Sequence, residues 1–405
     1  MSTIKSLQSR REFLKSLAVA GAGTALVGSH AATGAASTIP AGISMPMRPF
    51  GQTGVDVSSL SLGGIIDFRS NQLLLEQAYK LGITYWDTAD SYSGGKSEEG
   101  IGRFLTRRPE TRGNIFLVTK TEARSIMMRD IALEASLKNL KTDYIDLYLM
   151  HMVRYTREWD LPEVQRWAKT AKAAGKIRFF GFSAHTNMVD QLHHAATLNW
   201  VDGVMFTYNY RIMQMPEMVA AVEACHRAGI GLTAMKTMGG GPGESIPEAD
   251  DRLGRYFLDK GFSEHQAKLK SVWEDSRIAS ICSHMPNTTI MLANAAAAMN
   301  KSALSNRDRI ELERHADATR SVYCAGCSEI CEQTMAEWVP IGDVMRSLMY
   351  LESHGEPERA RETLARVLPA EPGRLLSQDF SAAQRVCPQG LDIAALMQRA
   401  IDRLT

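Results

Sequence analysis

The chain has 405 residues, of which 44% are hydrophobic, and a formal net charge of +1. That length allows two or three domains, or one large barrel with an extension, around a sizeable core. A near-neutral chain has no global field to draw it to nucleic acid. No apolar run reaches the roughly 20 residues of a membrane-spanning helix, so neither a nucleic-acid-binding nor a transmembrane protein is expected.

At the N-terminus, Ser9-Arg10-Arg11-Glu12-Phe13-Leu14-Lys15 precedes a weakly apolar, Ala- and Gly-rich stretch from Ser16 to Val27. Small residues follow, with Ser29-His30-Ala31 and Gly34-Ala35-Ala36 as candidate cleavage points. The order of charge, apolar stretch and small residues is that of a secretory signal. The paired arginines resemble the twin-arginine signal. Residues 1–36 are therefore expected to be a signal peptide and the protein to be exported, to a periplasm in a bacterium; a disordered basic tail and an uncleaved anchor are the competing readings. The twin-arginine route carries folded proteins, so cofactors would cross already bound.

From Val55 to about Ala298 short apolar runs alternate with longer periodic segments. The expected strands are Ser59–Leu62, Thr84–Trp86, Ile115–Thr119, Tyr144–Leu149, Ile177–Phe182, Val201–Phe206, Gly231–Met235 and Ile278–Cys282. Near-continuous apolar runs of this kind suit parallel strands covered on both faces. Between them, Leu74, Ala78 and Leu81, and then Ile131, Ala135, Leu137 and Leu140, recur at helical spacing. Gly82, Gly113, Gly175 and Gly229 each stand between a helix and a strand, where a left-handed C-cap is wanted. Eight strand–helix units in about 240 residues fit an α/β (β/α)8 TIM barrel. A doubly wound sheet is the rival, but no Gly-x-Gly-x-x-Gly turn follows the first strand.

In such a barrel, chemistry sits at the C-terminal ends of the strands. Asp87 follows the second run, with Tyr92 five residues on; Lys120 follows the third; His151 follows the fourth. Taken singly, each has a bland reading: a turn cap, a solvated lysine, a structural histidine. Together with Trp86-Asp87-Thr88-Ala89-Asp90-Ser91-Tyr92, Val118-Thr119-Lys120, Asp143 through His151, Gly175-Lys176-Ile177-Arg178 and Gly181-Phe182-Ser183, they resemble the aldo-keto reductase signature. The resemblance covers roughly Arg48 to Ala298. It implies a nicotinamide-dependent oxidoreductase that interconverts a carbonyl compound and an alcohol. Tyr92 would be the general acid, Lys120 would lower its pKa from the ordinary value of about 10, Asp87 would hold Lys120, and His151 would orient the carbonyl oxygen.

The resemblance also implies a cofactor site for NAD(P) at Ser183, Tyr208, Asn209, Lys236 and Asn294, with Met235 through Gly241 as the phosphate-side loop. Departures from the family pattern lie here. Ala184 stands where Asn is usual and Met205 where Gln is usual. Ser283-His284-Met285-Pro286-Asn287 carries none of the basic residues that would select a 2′-phosphate. NADP and NAD both stay open, as does loss of the cofactor.

After about Ser321 come Cys324-x2-Cys327-x3-Cys331 and, later, Cys387-Pro388. Four thiolates suit a [4Fe–4S] cluster or a zinc ion, and two disulfides are the third possibility. The ending Cys387-Pro388-Gln389-Gly390 resembles a ferredoxin-like run, a tail that some bacterial aldo-keto reductases carry. Here there is an extra residue in the second gap and a helical insertion before the last cysteine. Val344, Leu348 and Leu351, then Ala360, Leu364 and Val367, and finally Ile393, Leu396, Met397, Ala400, Ile401 and Leu404 form packing stripes. The expected organisation is a signal at 1–36, a barrel over 48–320 and a helical, cysteine-bearing extension over 321–405. A small carbonyl or alcohol substrate is expected. A redox partner protein would be the second partner. The alternative is an iron–sulfur electron-transfer or scaffold protein on a barrel that no longer turns over nicotinamide.

Overall fold

A computed structural model describes residues 44–261, 263–368 and 373–405. The expected signal at 1–36 lies outside these residues. Eight parallel strands close on one another: β3 (Leu60–Gly63), β4 (Tyr85–Asp87), β5 (Phe116–Thr121), β6 (Ile145–Val153), β7 (Ile177–Ala184), β8 (Gly203–Thr207), β9 (Gly231–Met235) and β10 (Ser280–His284), with β10 pairing back onto β3. The expected (β/α)8 barrel is therefore the observed fold. All eight expected strands are present, and most are shifted toward the C-terminus, because pairing continues past the last apolar residue wherever a neighbour supplies a partner. β6 runs on to Val153, with an irregular register against β7 between Met150 and Val153.

The outward side chains of the strands meet the inner faces of the surrounding helices in one core that contains Leu62, Trp86, Leu117, Tyr148, Phe182, Phe206 and Leu232. Such interlocking leaves few voids and fixes strand tilt. A short antiparallel hairpin, β1 (Met47–Pro49) with β2 (Asp56–Ser58), precedes the barrel. The Phe50 it carries, fully buried, lies against Tyr85 and Phe116. A Cβ on Gly203 or Gly231, the first residues of β8 and β9, would meet the Phe50 ring at 2.7 and 2.5 Å. The ring thus plugs the N-terminal end of the barrel, and those two strands start with glycine because it occupies the space. Gly82, Gly175 and Gly229 take the left-handed conformation expected of C-caps, whereas Gly113 does not and sits in a 3-10 turn, Pro109–Asn114.

The extension has its own apolar core. The helices Ile341–Glu352 and Pro357–Ala365 form an antiparallel hairpin, and the last helix, Ile393–Leu404, packs onto it through Ile393, Leu396, Met397 and Ala400, against Val344, Leu348, Ala360 and Leu364. The stripes read from the sequence are these contact faces, except for Ile401, which lies outside the core.

The assembled extension lies across the C-terminal mouth of the barrel, tied to the strand-end loops from β5 round to β10. Arg366 pairs with Glu122 at 2.8 Å and Arg154 with Asp343 at 2.5 Å. Asn187 N–H donates to Gly326 O at 2.6 Å, and Asn209 Nδ2 donates to the Tyr323 hydroxyl at 3.1 Å. Gly241 N–H donates to Ser353 Oγ at 2.9 Å, and His284 Nδ1 lies 3.5 Å from Glu356 Oε1. Among the described residues, no helix is long and apolar enough to cross a membrane.

Candidate active site

Parallel pairing of β4, β5 and β6 brings Asp87, Lys120 and His151 to adjacent strand ends at one side of the mouth. The backbone then leaves β4 through Thr88–Ser91 and places Tyr92 above them. Asp87 Oδ1 and Lys120 Nζ form an ion pair at 2.6 Å, with side chains 3% and 1% exposed. Lys120 Nζ also donates to Thr88 O at 2.6 Å and to the Tyr92 hydroxyl at 3.5 Å. The Tyr92 hydroxyl lies 3.5 Å from His151 Nε2, with the two rings edge-on at 5.6 Å. The four groups singled out in the sequence thus form one contact chain, Asp87–Lys120–Tyr92–His151. They are not just past their strands, as expected: Asp87 ends β4, Lys120 lies inside β5 and His151 inside β6.

Electrostatics separate their roles. Burial opposes the charge on Lys120, but the Asp87 carboxylate and the Tyr92 phenol hold its pKa above the ordinary lysine value. The Tyr92 phenol is pushed up to about 12, because burial outweighs the pull of Lys120. Lys120 acts in the expected direction, and enclosure exceeds it. The phenol therefore keeps its proton at neutral pH. Burial first, and then the cations Lys120, Arg346, Arg366 and Arg124, hold His151 far below the usual histidine range, so its ring is neutral and can donate one hydrogen bond. The site contains a protonated phenol, a fixed ammonium beside it and a neutral imidazole. Together these can protonate an oxygen that gains negative charge.

The residues assigned to the nucleotide are engaged elsewhere. Ser183 Oγ, at the end of β7, accepts from Met152 N–H at 3.1 Å. Tyr208 points outward into the helix layer and donates to Asp275 Oδ2 at 2.7 Å, so it does not face the mouth as expected. Asn209 Nδ2 donates to Lys236 O at 3.2 Å as well as to Tyr323. Lys236 Nζ sits 4.3 Å from the centre of the Tyr350 ring, which the extension delivers. Asn294 Nδ2 donates to Ser283 Oγ at 3.0 Å. The space enclosed between His185, Thr207, Asn209, Lys236, Cys324 and Arg346 is about 40 Å³, room for a few waters. In this conformation the groove does not fit a dinucleotide. Tyr350, Ser353 and Arg346 had no signal in the sequence as site residues; they read as part of a helical insertion.

Cys324, Cys327, Cys331 and Cys387 line one cavity, closed on one side by Ile341, Gly342 and Met345. None is in a disulfide. Burial, followed by the neighbouring thiols, pushes Cys324 up, and burial pushes Cys327 up to about 11. Four thiols facing one cavity are a donor set that suits a thiolate-bound metal centre. Among the described residues, no group of His, Cys, Asp and Glu is gathered tightly enough for a single metal ion.

The profile of the Aldo/keto reductase family matches residues 59–267, just over half of the chain. The chain is 30% identical over 204 residues to the aldo-keto reductase yakc, designated NADP(+), of Schizosaccharomyces pombe. That match covers 45% of this chain and 58% of the yeast protein, under two thirds of its length. It is 25% identical over 266 residues to the aldo-keto reductase AMT2 of Alternaria alternata, covering 54% and 71% of the two chains. In structure it resembles the holo form of an aldo-keto reductase of Bacillus halodurans, with a TM-score of 0.57 and 20% identity over 70% of this chain and 98% of that one, which shows the shared fold.

Proposed function

The chain belongs to the aldo/keto reductase family, and from that premise we propose that it is an oxidoreductase interconverting an aldehyde or ketone and an alcohol, with Tyr92 as the acid and base. The observation that carries this reading is the Tyr92 hydroxyl, 3.5 Å from both Lys120 Nζ and His151 Nε2 at the C-terminal end of the barrel. A carbonyl oxygen lying against Tyr92 would accept a hydrogen bond from His151 Nε2 and the proton from the phenol. Lys120, fixed by Asp87, would stabilise the phenolate left behind. In the reverse direction the phenolate would take the alcohol proton. Nicotinamide, which the family implies, would supply or accept the hydride. In this conformation groups of the extension lie where it would bind. The test is turnover of a panel of carbonyl compounds with NADPH and NADH. Tyr92→Phe should lower kcat by about 10²–10⁴-fold, and an unchanged rate would refute the assignment.

Cys324, Cys327, Cys331 and Cys387 are the proposed ligands of one [4Fe–4S] cluster, which would supply one-electron transfer to a redox partner protein; zinc, the alternative, would need the four thiols drawn closer together than they stand. Export in the folded state through the signal at 1–36 accords with a cluster loaded before crossing. Replacing Arg10 and Arg11 with Lys should leave the protein in the cytoplasm on cell fractionation, and unchanged export would refute the twin-arginine assignment.

A second reading is an electron-transfer or scaffold protein on a barrel without nicotinamide turnover. The contacts of the extension with the nucleotide groove favour it. Undiminished absorbance at 340 nm with every carbonyl compound, from a protein holding a reducible cluster, would decide for it.

A further inference from the structure

Three donor groups at the C-terminal ends of β9 and β10 each meet a group from the C-terminal helical hairpin. Lys236 Nζ lies over the Tyr350 ring at 4.3 Å. Gly241 N–H donates to Ser353 Oγ at 2.9 Å, and the same hydroxyl donates back to Gly241 O at 2.8 Å. His284 Nδ1 faces Glu356 Oε1 at 3.5 Å. These partners come from the end of the helix Ile341–Glu352 and the 353–356 turn.

The backbone fits there as closely as the side chains do. A Cβ on Gly240 would meet Ser353 Cβ at 2.6 Å. Arg359 closes the arrangement, with its guanidinium carbon 3.8 Å from the Tyr350 ring centre and its Nη1 2.8 Å from Glu356 Oε2. The helix end and the turn together therefore offer the groove a phenol, a hydroxyl and a carboxylate, the kinds of partner that the hydroxyl and phosphate oxygens of a dinucleotide would offer it. Lys236, Arg359 and Arg346 together pull the Tyr350 phenol below its ordinary pKa against the effect of its burial.

We propose that Tyr350 and the 353–356 turn occupy the nucleotide groove in competition with NAD(P), so that the hairpin must leave the mouth before a dinucleotide binds. The proposal rests on the nicotinamide-dependent reading above. The turn is held by two hydrogen bonds to Gly241, one ring contact and one histidine–carboxylate contact, and the hairpin that carries it by the Arg154–Asp343 and Arg366–Glu122 ion pairs as well; a ligand that prefers the open state shifts such an equilibrium by its differential affinity. If the hairpin is closed nine-tenths of the time or more, apparent affinity is reduced about tenfold or more.

The test is titration of the full chain with NADPH and NADH by calorimetry, for the native protein, Ser353→Ala and the double variant Tyr350→Ala/Ser353→Ala, each checked for folding by circular dichroism. Hydrogen exchange of residues 341–365 is followed with and without NADPH. Competition predicts at least about tenfold tighter binding in the double variant and faster exchange across 341–365 when the native protein binds NADPH. Equal affinity in all three proteins, with exchange unchanged, would overturn the competition and leave the nicotinamide reading standing. If the folded double variant binds neither dinucleotide, both fall. If the double variant does not fold, Ser353→Ala and the exchange measurement decide between the same outcomes.

Discussion

Replacing Asp87 with Asn tests the ion pair on which the site is built. The two groups are 2.6 Å apart with side chains 3% and 1% exposed. At an effective dielectric constant of about 20 their gross attraction is roughly 6 kcal/mol. Most of it offsets the cost of taking two charges out of water, and removing one partner of a buried pair costs about 3–5 kcal/mol. The loss should appear as a fall in Tm of about 2–4 °C per kcal/mol, read by thermal circular dichroism. The pH dependence carries the sharper prediction. In the native protein Lys120 has a raised pKa. Its contribution is therefore fully present below the unfolded lysine value, about 10.4, and is lost as pH rises through the higher folded value. Without Asp87, burial dominates and the folded pKa falls below the unfolded one. The unfolded state then binds more protons, so the variant should gain stability as pH rises from 7 toward 10, while the native protein does not. A loss below about 1 kcal/mol, with parallel pH profiles for the two proteins, would refute the view that Asp87 neutralises a buried ammonium.

With the phenol pushed up to about 12, carbonyl reduction should be insensitive to Tyr92 ionisation between pH 6 and 9, whereas alcohol oxidation, which needs the phenolate, should climb throughout that range; a plateau of oxidation near pH 7 would contradict the burial argument. Phe50→Ala should destabilise the barrel by about 3–5 kcal/mol in urea unfolding, since Gly203 and Gly231 cannot fill the space; a loss under about 1 kcal/mol would show that the hairpin does not close the barrel end. Cys324→Ser should abolish bound iron and the visible absorption of an anaerobic preparation, whereas Cys225→Ser, a buried thiol that donates to Leu192 O at 3.1 Å, should retain both. Equal iron in the two variants would exclude Cys324 as a ligand.

The barrel and the chain Asp87–Lys120–Tyr92–His151 were legible in the sequence because their causes are local. Apolar runs of strand length, separated by helical periodicity, leave few ways to bury both faces of a parallel sheet. Once the strands are parallel, residues at successive strand ends must converge. The stripes Val344–Leu348, Ala360–Leu364 and Ile393–Ala400 were legible for the same reason, since a helix that repeats its apolar residues must cover them. Other features depended on where segments distant in sequence come to rest. Tyr92 looked as though its nearest cation would set its pKa, but enclosure decides it, and enclosure belongs to the assembled mouth. The resemblance makes Tyr208 a cofactor contact, whereas the fold turns its side chain into the helix layer, toward an Asp275 that lies 67 residues away. The helical insertion revealed its packing faces but not its destination, because no periodicity in 341–365 encodes Gly241 or His284 as partners. The sequence by itself determined the elements and the order of the chemical groups; only tertiary packing decided that the C-terminal hairpin folds back over those groups and fills the groove beside them.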